Sequence, residues 1–300
     1  MRKIAILITL TMLLASLAGC AGDDDEQGCL SDDGLSGDDL SYTDLSYADF
    51  SCADLSYADL EFTNLEFTNL SYADLSFTDL NSVNLHSADL TGANLSGSFP
   101  YSADMRYANL SNANLSNADM RYANLMGANL SNADMGYANL EHVNLKNADL
   151  NNTDLSNADL DDVHGFNLQE CPAVLPTDWR CIQNNLVGPY ADLFWADLSN
   201  LNLSNADLSN TRLIGTNLSN ANLSNADMRY ADLRGSDLSF TDLNSVNLHN
   251  ADLTGANLSN ADLSNADLSF ADLTDVNWHD TTCPDGTNSD DNGDTCENNL

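Results

Sequence analysis

SNANLSNADMRYANLMGANLSNADMGYANL, residues 111–140, decides the fold. Every fifth residue in it is Leu or Met, the residue two places earlier is Ala, and Asp or Asn stands between them. From 35 to 160 every position divisible by five holds Leu, Met or Phe50, with Pro100 as the exception. A period of five fits neither a 3.6-residue helix nor strand alternation. It fits a chain that turns a corner every five residues and sends one large and one small side chain inward from each side. Four sides, about 20 residues, close one coil, and coils stack at the spacing of paired strands, about 4.8 Å. Six such coils make a rod of about 30 Å. Each inward Leu contributes about 1.5–3 kcal/mol.

The phrase resembles that of the pentapeptide-repeat family, with Leu115, Leu125 and Leu130 matching the central residue and Ala113, Ala123 and Ala128 the small one. The resemblance covers roughly 215 of the 300 residues. It implies an all-β fold, a right-handed quadrilateral β-helix, here in two segments at 35–160 and 191–277. The Asp or Asn before each Leu is a turn former able to accept from nearby amides. Residues 20 apart stack, so Asp44, Asn64, Asn84, Asp104, Asn124 and Asn144 form one ladder, in which Asn eases the repulsion between carboxylates. The position after each turn reads as free to vary.

Two departures stand out in the first array. Tyr42, Tyr47, Tyr57, Phe62, Phe67, Tyr72 and Phe77 occupy seven of eight successive outward positions, Cys52 the eighth, forming an aromatic collar. Such a collar stabilises the stack and is also the candidate interaction surface. SGSFPYS then places Phe99 and Pro100 in core register; since Pro donates nothing to a ladder, a local bulge with the register kept is expected.

The register is lost over 161–190, a Cys-bounded insertion in which Cys171 and Cys181 flank Pro172, Pro176 and Trp179. In an exported chain these two cysteines close a small disulfide loop, with Trp179 and Leu175 covering an open core end. The phrase then returns at 191–277. SFTDLNSVNLHSADLTGANLS at 76–96 recurs as SFTDLNSVNLHNADLTGANLS at 239–259, an offset of 163 and the mark of segmental duplication. His86 and its copy His249 lie outside the core and read as solvent-facing. In the tail, 278–300, Trp278 takes a core place and Cys283 and Cys296 pin a C-terminal cap. Asn288, Asp290 and Asn292 resemble the start of an EF-hand loop, but Asn299 stands where that loop needs Glu. They are weak metal candidates, and no metal or cofactor is expected. Cys29 and Cys52 remain and are expected to pair as a staple of the first cap.

The leader, 1–19, runs from basic Arg2 and Lys3 through an apolar core at 4–14 to Leu17-Ala18-Gly19-Cys20. That ending resembles the lipobox of bacterial lipoproteins, which implies cleavage before Cys20 and lipid on it. Ala21 after Cys20 implies outer-membrane sorting in a Gram-negative host. Residues 20–34 carry the lipidated cysteine and an acidic tether.

With 46 acidic against 9 basic residues the net charge is −37. A polyanion repels nucleic acid and anionic lipid headgroups. No nucleophile elbow, phosphate-binding glycine loop or metal-ligand cluster is present, so an enzyme is not expected. The reading is a lipid-anchored cell-envelope rod serving as scaffold or protein-interaction surface, with the membrane, through Cys20, as its one named partner. Two rival readings remain. The resemblance implies DNA mimicry, since some family members imitate B-DNA and protect gyrase, though gyrase is cytoplasmic and this leader directs export. The many carboxylates could also form a weak calcium-binding surface.

Overall fold

The computed structural model describes residues 35–297. The leader, Cys20, Cys29, the tether and residues 298–300 lie outside the described residues. Those described divide into two compact units, 35–139 with 148–158, and 140–147 with 159–297.

Every repeat uses its five residues alike. In 111–115, Ser111 and Asn112 make the turn, Ala113 points inward, Asn114 bridges to neighbouring coils, and Leu115 is buried completely. The Ala113 N–H closes the turn on the Leu110 carbonyl at 3.1 Å. Three further N–H groups tie the repeat to its neighbours: Asn114 to the Ala93 carbonyl at 2.9 Å, Leu115 to Asp134 at 2.7 Å and Asn112 to Ser131 at 2.9 Å. The bonding is parallel and links positions 20 apart, as in Asp44↔Asn64, Asn64↔Asn84, Asn84↔Asp104 and Asp104↔Asn124. Backbone polar groups are therefore satisfied between coils, and the architecture is a four-sided β-helix built from single bridges.

In the first unit, from Leu40 onward, Leu at the central place and Ala, Thr or Val at the small place are buried, apart from the partly buried Thr43 and Ala53 near its start. Thr is tolerated inside because its hydroxyl reaches a carbonyl: Oγ1 of Thr63 donates to Leu40 at 3.0 Å and that of Thr78 to Leu55 at 2.8 Å. The expected bulge at Pro100 is absent. The Phe99 N–H donates to Thr78 at 3.0 Å, and the Ala103 N–H closes the turn on Pro100 at 3.2 Å, as in ordinary repeats. Proline forfeits one donor, and the neighbouring bonds keep the geometry. Phe99 is not in the core either. It stands in the Asp/Asn place and is 49% exposed, while Pro100 alone is buried.

In the second unit, coil geometry runs on to Gly165, which occupies a core place. The Leu186 side chain fills the space where a Cβ on Gly165 would sit, 2.6 Å away. Leu186 belongs to a short antiparallel hairpin, β1 (Arg180–Ile182) and β2 (Asn185–Val187). Cys171 and Cys181 are joined by a disulfide. Trp179, Ile182 and Phe166 pack on the core of this unit, to which Val187 belongs. Leu175 is not among them, so Leu186 and Val187 do the covering that the sequence assigned to Leu175. At the far end Trp278 is buried, and Cys283 takes the next core place, bonded to Cys296. A 3-10 turn at Ser289–Asn292 closes this cap.

Candidate interaction surface

The second residue of every turn in both arrays has positive φ, between +53° and +72°. This corrects the reading of that position as free. A left-handed backbone crowds Cβ against the following carbonyl at about 1–2 kcal/mol for most residues, and least for Gly, Asn and Asp. Val, Ile and Thr never occur there, whereas Asn and Gly recur. The absence of branched residues is the one signal in the sequence from which the conformation could have been read.

Against that background the collar is costly. Its seven aromatic residues all sit at positive φ. Part of the cost is returned by stacking. Tyr42 lies on Phe62 with centroids 5.0 Å apart, Tyr47 on Phe67 at 5.2 Å, and Tyr57 on Phe77 at 5.2 Å. Tyr72 and Phe77 end their columns over glycines, where a Cβ on Gly92 or Gly97 would come within 2.7 Å of the ring. Even stacked, the rings stay open to solvent: Tyr47 is 74% and Tyr72 60% exposed. Cys52, the gap in the collar, is disulfide-bonded.

The aromatic surface also extends beyond the stretch that composition picks out. His86 lies outside the core but is partly buried rather than simply solvent-facing. It stands edge-on between Phe67 at 6.1 Å and Tyr107 at 5.6 Å, with Nδ1 buried and unpartnered. Its copy His249 stands likewise between Tyr230 at 6.3 Å and Phe270 at 5.3 Å. Arg121 lies over Tyr101 at 5.5 Å, and exposed Trp195, Tyr230, Phe240 and Phe270 line the second unit. Each of these four follows its core residue by two places, the same outward position that the collar occupies, where they stand singly rather than in a run.

The carboxylates are engaged locally. Asp44 Oδ1 accepts from the Ser46 hydroxyl at 2.8 Å and from Asn64 Nδ2 at 3.0 Å, and the serine lowers its pKa. Arg106 grips Asp104 through Nε and Nη2, at 2.8 and 2.6 Å, and holds that carboxyl below its ordinary value. Arg121, Arg229 and Arg234 do the same to Asp119, Asp227 and Asp232. Asp161 moves the other way, raised by burial and then by Asp159, Asp162 and Glu141. Asp192 is buried between Arg212 at 2.9 Å and His164 at 3.4 Å. These are repeated structural pairings, and no two carboxyls are set apart as acid and base.

The weak metal candidates serve the cap. Asn288 Oδ1 accepts from the Asp290 amide at 2.9 Å, Asn288 Nδ2 donates to Asp280 at 2.8 Å, and Asn292 Nδ2 donates to Thr287 at 2.7 Å. Among the described residues no group of three His, Cys, Asp or Glu is placed to hold a metal ion.

A family model described as "Pentapeptide repeats" matches eight overlapping stretches, at 35–66, 58–97, 84–121, 101–135, 123–162, 191–229, 202–239 and 241–277. No curated protein matches the chain. Among solved structures it is similar to HetL, a pentapeptide repeat protein involved in heterocyst differentiation regulation from Nostoc sp. PCC 7120, with 29% identity over 85% of this chain and 92% of that one at a TM-score of 0.30. It is also similar to alr5209, a pentapeptide repeat protein from Nostoc PCC 7120, with 40% identity over 28% and 68% of the two chains at a TM-score of 0.18. A third similar structure is QnrB1, a plasmid-mediated fluoroquinolone resistance protein, with 18% identity over 78% and 90% at a TM-score of 0.25.

Proposed function

Since the chain belongs to the pentapeptide-repeat family, whose fold is the right-handed quadrilateral β-helix, we propose that it works as an exported, lipid-anchored scaffold that binds a protein partner through its aromatic collar. The observation that carries this is the strain at the collar. Seven aromatic side chains take a left-handed backbone position that Asn or Gly fills at lower cost elsewhere. Ring stacking returns only about 0.5–1.5 kcal/mol per pair, and the four tyrosines keep 60–74% of their surface in water. Stability alone does not account for that choice, whereas a contact surface does.

Two closed disulfides, Cys171–Cys181 and Cys283–Cys296, suit an oxidising compartment. They agree with the export implied by the leader and sit poorly with a cytosolic gyrase ligand. Cys20 is the proposed lipid site, and the cell envelope, at the outer membrane of a Gram-negative host, the proposed address.

Metabolic labelling with a palmitate analogue, together with surface protease accessibility, tests the address. Label on the wild type and none on Cys20→Ser supports it; an unlabelled cytosolic chain overturns it. Replacing Tyr42, Tyr47, Tyr57 and Tyr72 by Asn tests the collar. A folded variant that loses its in-cell crosslinks supports the contact role, and unchanged crosslinks contradict it.

A further inference from the structure

The second unit ends in an unequal edge. In the coil at 264–283 the last side is covered by the cap: the Cys283 N–H donates to Thr287 at 2.8 Å, that of Asp280 to the Asp290 carboxylate at 2.9 Å, and that of Thr281 to the Ser289 hydroxyl at 3.0 Å. The other three sides have no cover among the described residues. One coil earlier, Leu248, Asn250, Leu253, Gly255 and Leu258 each donate to the next coil. Among the described residues their counterparts Leu268, Phe270, Leu273, Asp275 and Trp278 donate to nothing, and the carbonyls of Ala266, Ala271 and Val276 accept nothing. Ala266, Ala271 and Val276 are only partly buried, and Phe270 is the most exposed large apolar residue of the described chain, at 83%. Donors and acceptors thus alternate beside a strip of apolar surface along fifteen residues, an edge built to receive an extended chain.

Charge selects the occupant. The ladder Asp192–Arg212–Asp232–Asp252–Asp272 carries one cation, Arg212, near its start and ends on this edge with an aspartate. From residue 235 onward the chain contains no Lys or Arg, while Asp267, Asp272, Asp275, Asp280, Asp290 and Asp291 surround the edge or its cap. A second copy placed end to end would bring two such uncompensated acidic ends together. The same ladder shows the favourable solution, in which Arg212 reaches Asp192 at 2.9 Å and covers Phe194 at 4.6 Å.

We infer that the bare edge at 264–278 binds an extended cationic segment of another protein by strand addition, with small and aliphatic residues turned inward and Arg or Lys standing over Asp267 and Asp272. This site is separate from the collar and does not depend on it. The probe is a synthetic 15-residue peptide of three Ala-Arg-Leu-Ser-Asn pentads, with a scrambled peptide of the same composition as control. Amide exchange is followed by mass spectrometry on the full chain. The patterned peptide should slow exchange over 264–278 by about tenfold or more and the scrambled one should not, and Asp272→Asn should weaken the patterned peptide by up to about fivefold. The inference is overturned by equal binding of both peptides without protection, which marks mere attraction to a polyanion. It is equally overturned if 264–278 is already protected in the monomer, or if the chain dimerises with those amides protected.

Discussion

His86 and His249 stand 163 residues apart in copied surroundings, each edge-on between two aromatic rings. The coils beyond them differ. Past Tyr107 lies Gly127, so close that an added Cβ would come within 2.7 Å of the ring. Past Phe270, at the same offset, the described residues supply no next coil. The outer ring is accordingly 56% exposed in the first case and 83% in the second. In this fold a residue's environment is set by the next coil more than by its own repeat, so identical phrases acquire different energetics from their place in the stack.

The largest effect that separates the copies is in the core. Leu110 is fully buried, and its counterpart Leu273 is 9% exposed at the bare edge. Leu110→Ala should cost about 2–5 kcal/mol, because neighbours above and below hold the cavity open. Leu273→Ala should fall near the bottom of that range or below it, since its outer side is unpacked. Denaturant midpoints of the two variants decide the point; equal losses would break the comparison.

The next contrast concerns Gly92 and its copy Gly255, at φ +66° and +69°. An alanine methyl at Gly92 would meet the Tyr72 ring at 2.6 Å, whereas at Gly255 nothing lies within 4 Å. Both replacements carry the left-handed penalty of about 1–2 kcal/mol, and Gly92→Ala alone must also displace a ring. Its melting temperature should fall further than that of Gly255→Ala, and the reverse order would show that the ring does not lie on the glycine.

The smallest expected effect is on acid sensitivity. Asp104 is held below the ordinary 3.8 chiefly by Arg106, and its counterpart Asp267 chiefly by the Ser269 hydroxyl. A carboxyl depressed in the fold adds stability above its unfolded pKa and loses it as pH falls through the folded value. Both aspartates therefore contribute in full at neutral pH, begin to lose that contribution as pH falls past 3.8, and lose the rest as it passes through their lowered values. Asp161, raised by burial, works in the opposite sense, its penalty easing as it takes up a proton. Melting temperature tracked downward from neutral pH should flatten for Asp104→Asn and Asp267→Asn, and steepen for Asp161→Asn.

The coil was legible in the sequence because its cause is local. One Leu and one Ala per five residues state the period, and an Asp or Asn before each Leu states the bridge. Less legible was anything that depends on residues 20 positions away. Reading Pro100 as a bulge treated its missing donor as a fault in its own repeat, whereas the bonds that the Phe99 and Ala103 amides donate to the Thr78 and Pro100 carbonyls fix the local geometry. Taking His86 as solvent-facing overlooked that Phe67 and Tyr107 belong to the coils on either side. Gly165 gave no sign that Leu186 would fill its core place, since that contact forms only when the hairpin at 180–187 folds back. The outward surface was half read, because composition reveals a run such as 42–77 but not single aromatics at the same corner in later coils.

Site-resolved amide exchange on the intact chain tests most directly that the next coil sets the environment. Met105, Tyr107, Leu110 and Asn112 donate to the next coil, and Leu268, Phe270, Leu273 and Asp275, each 163 residues on, donate to nothing among the described residues. The first set should exchange more slowly by roughly two orders of magnitude. Equal protection of the two sets would contradict the account.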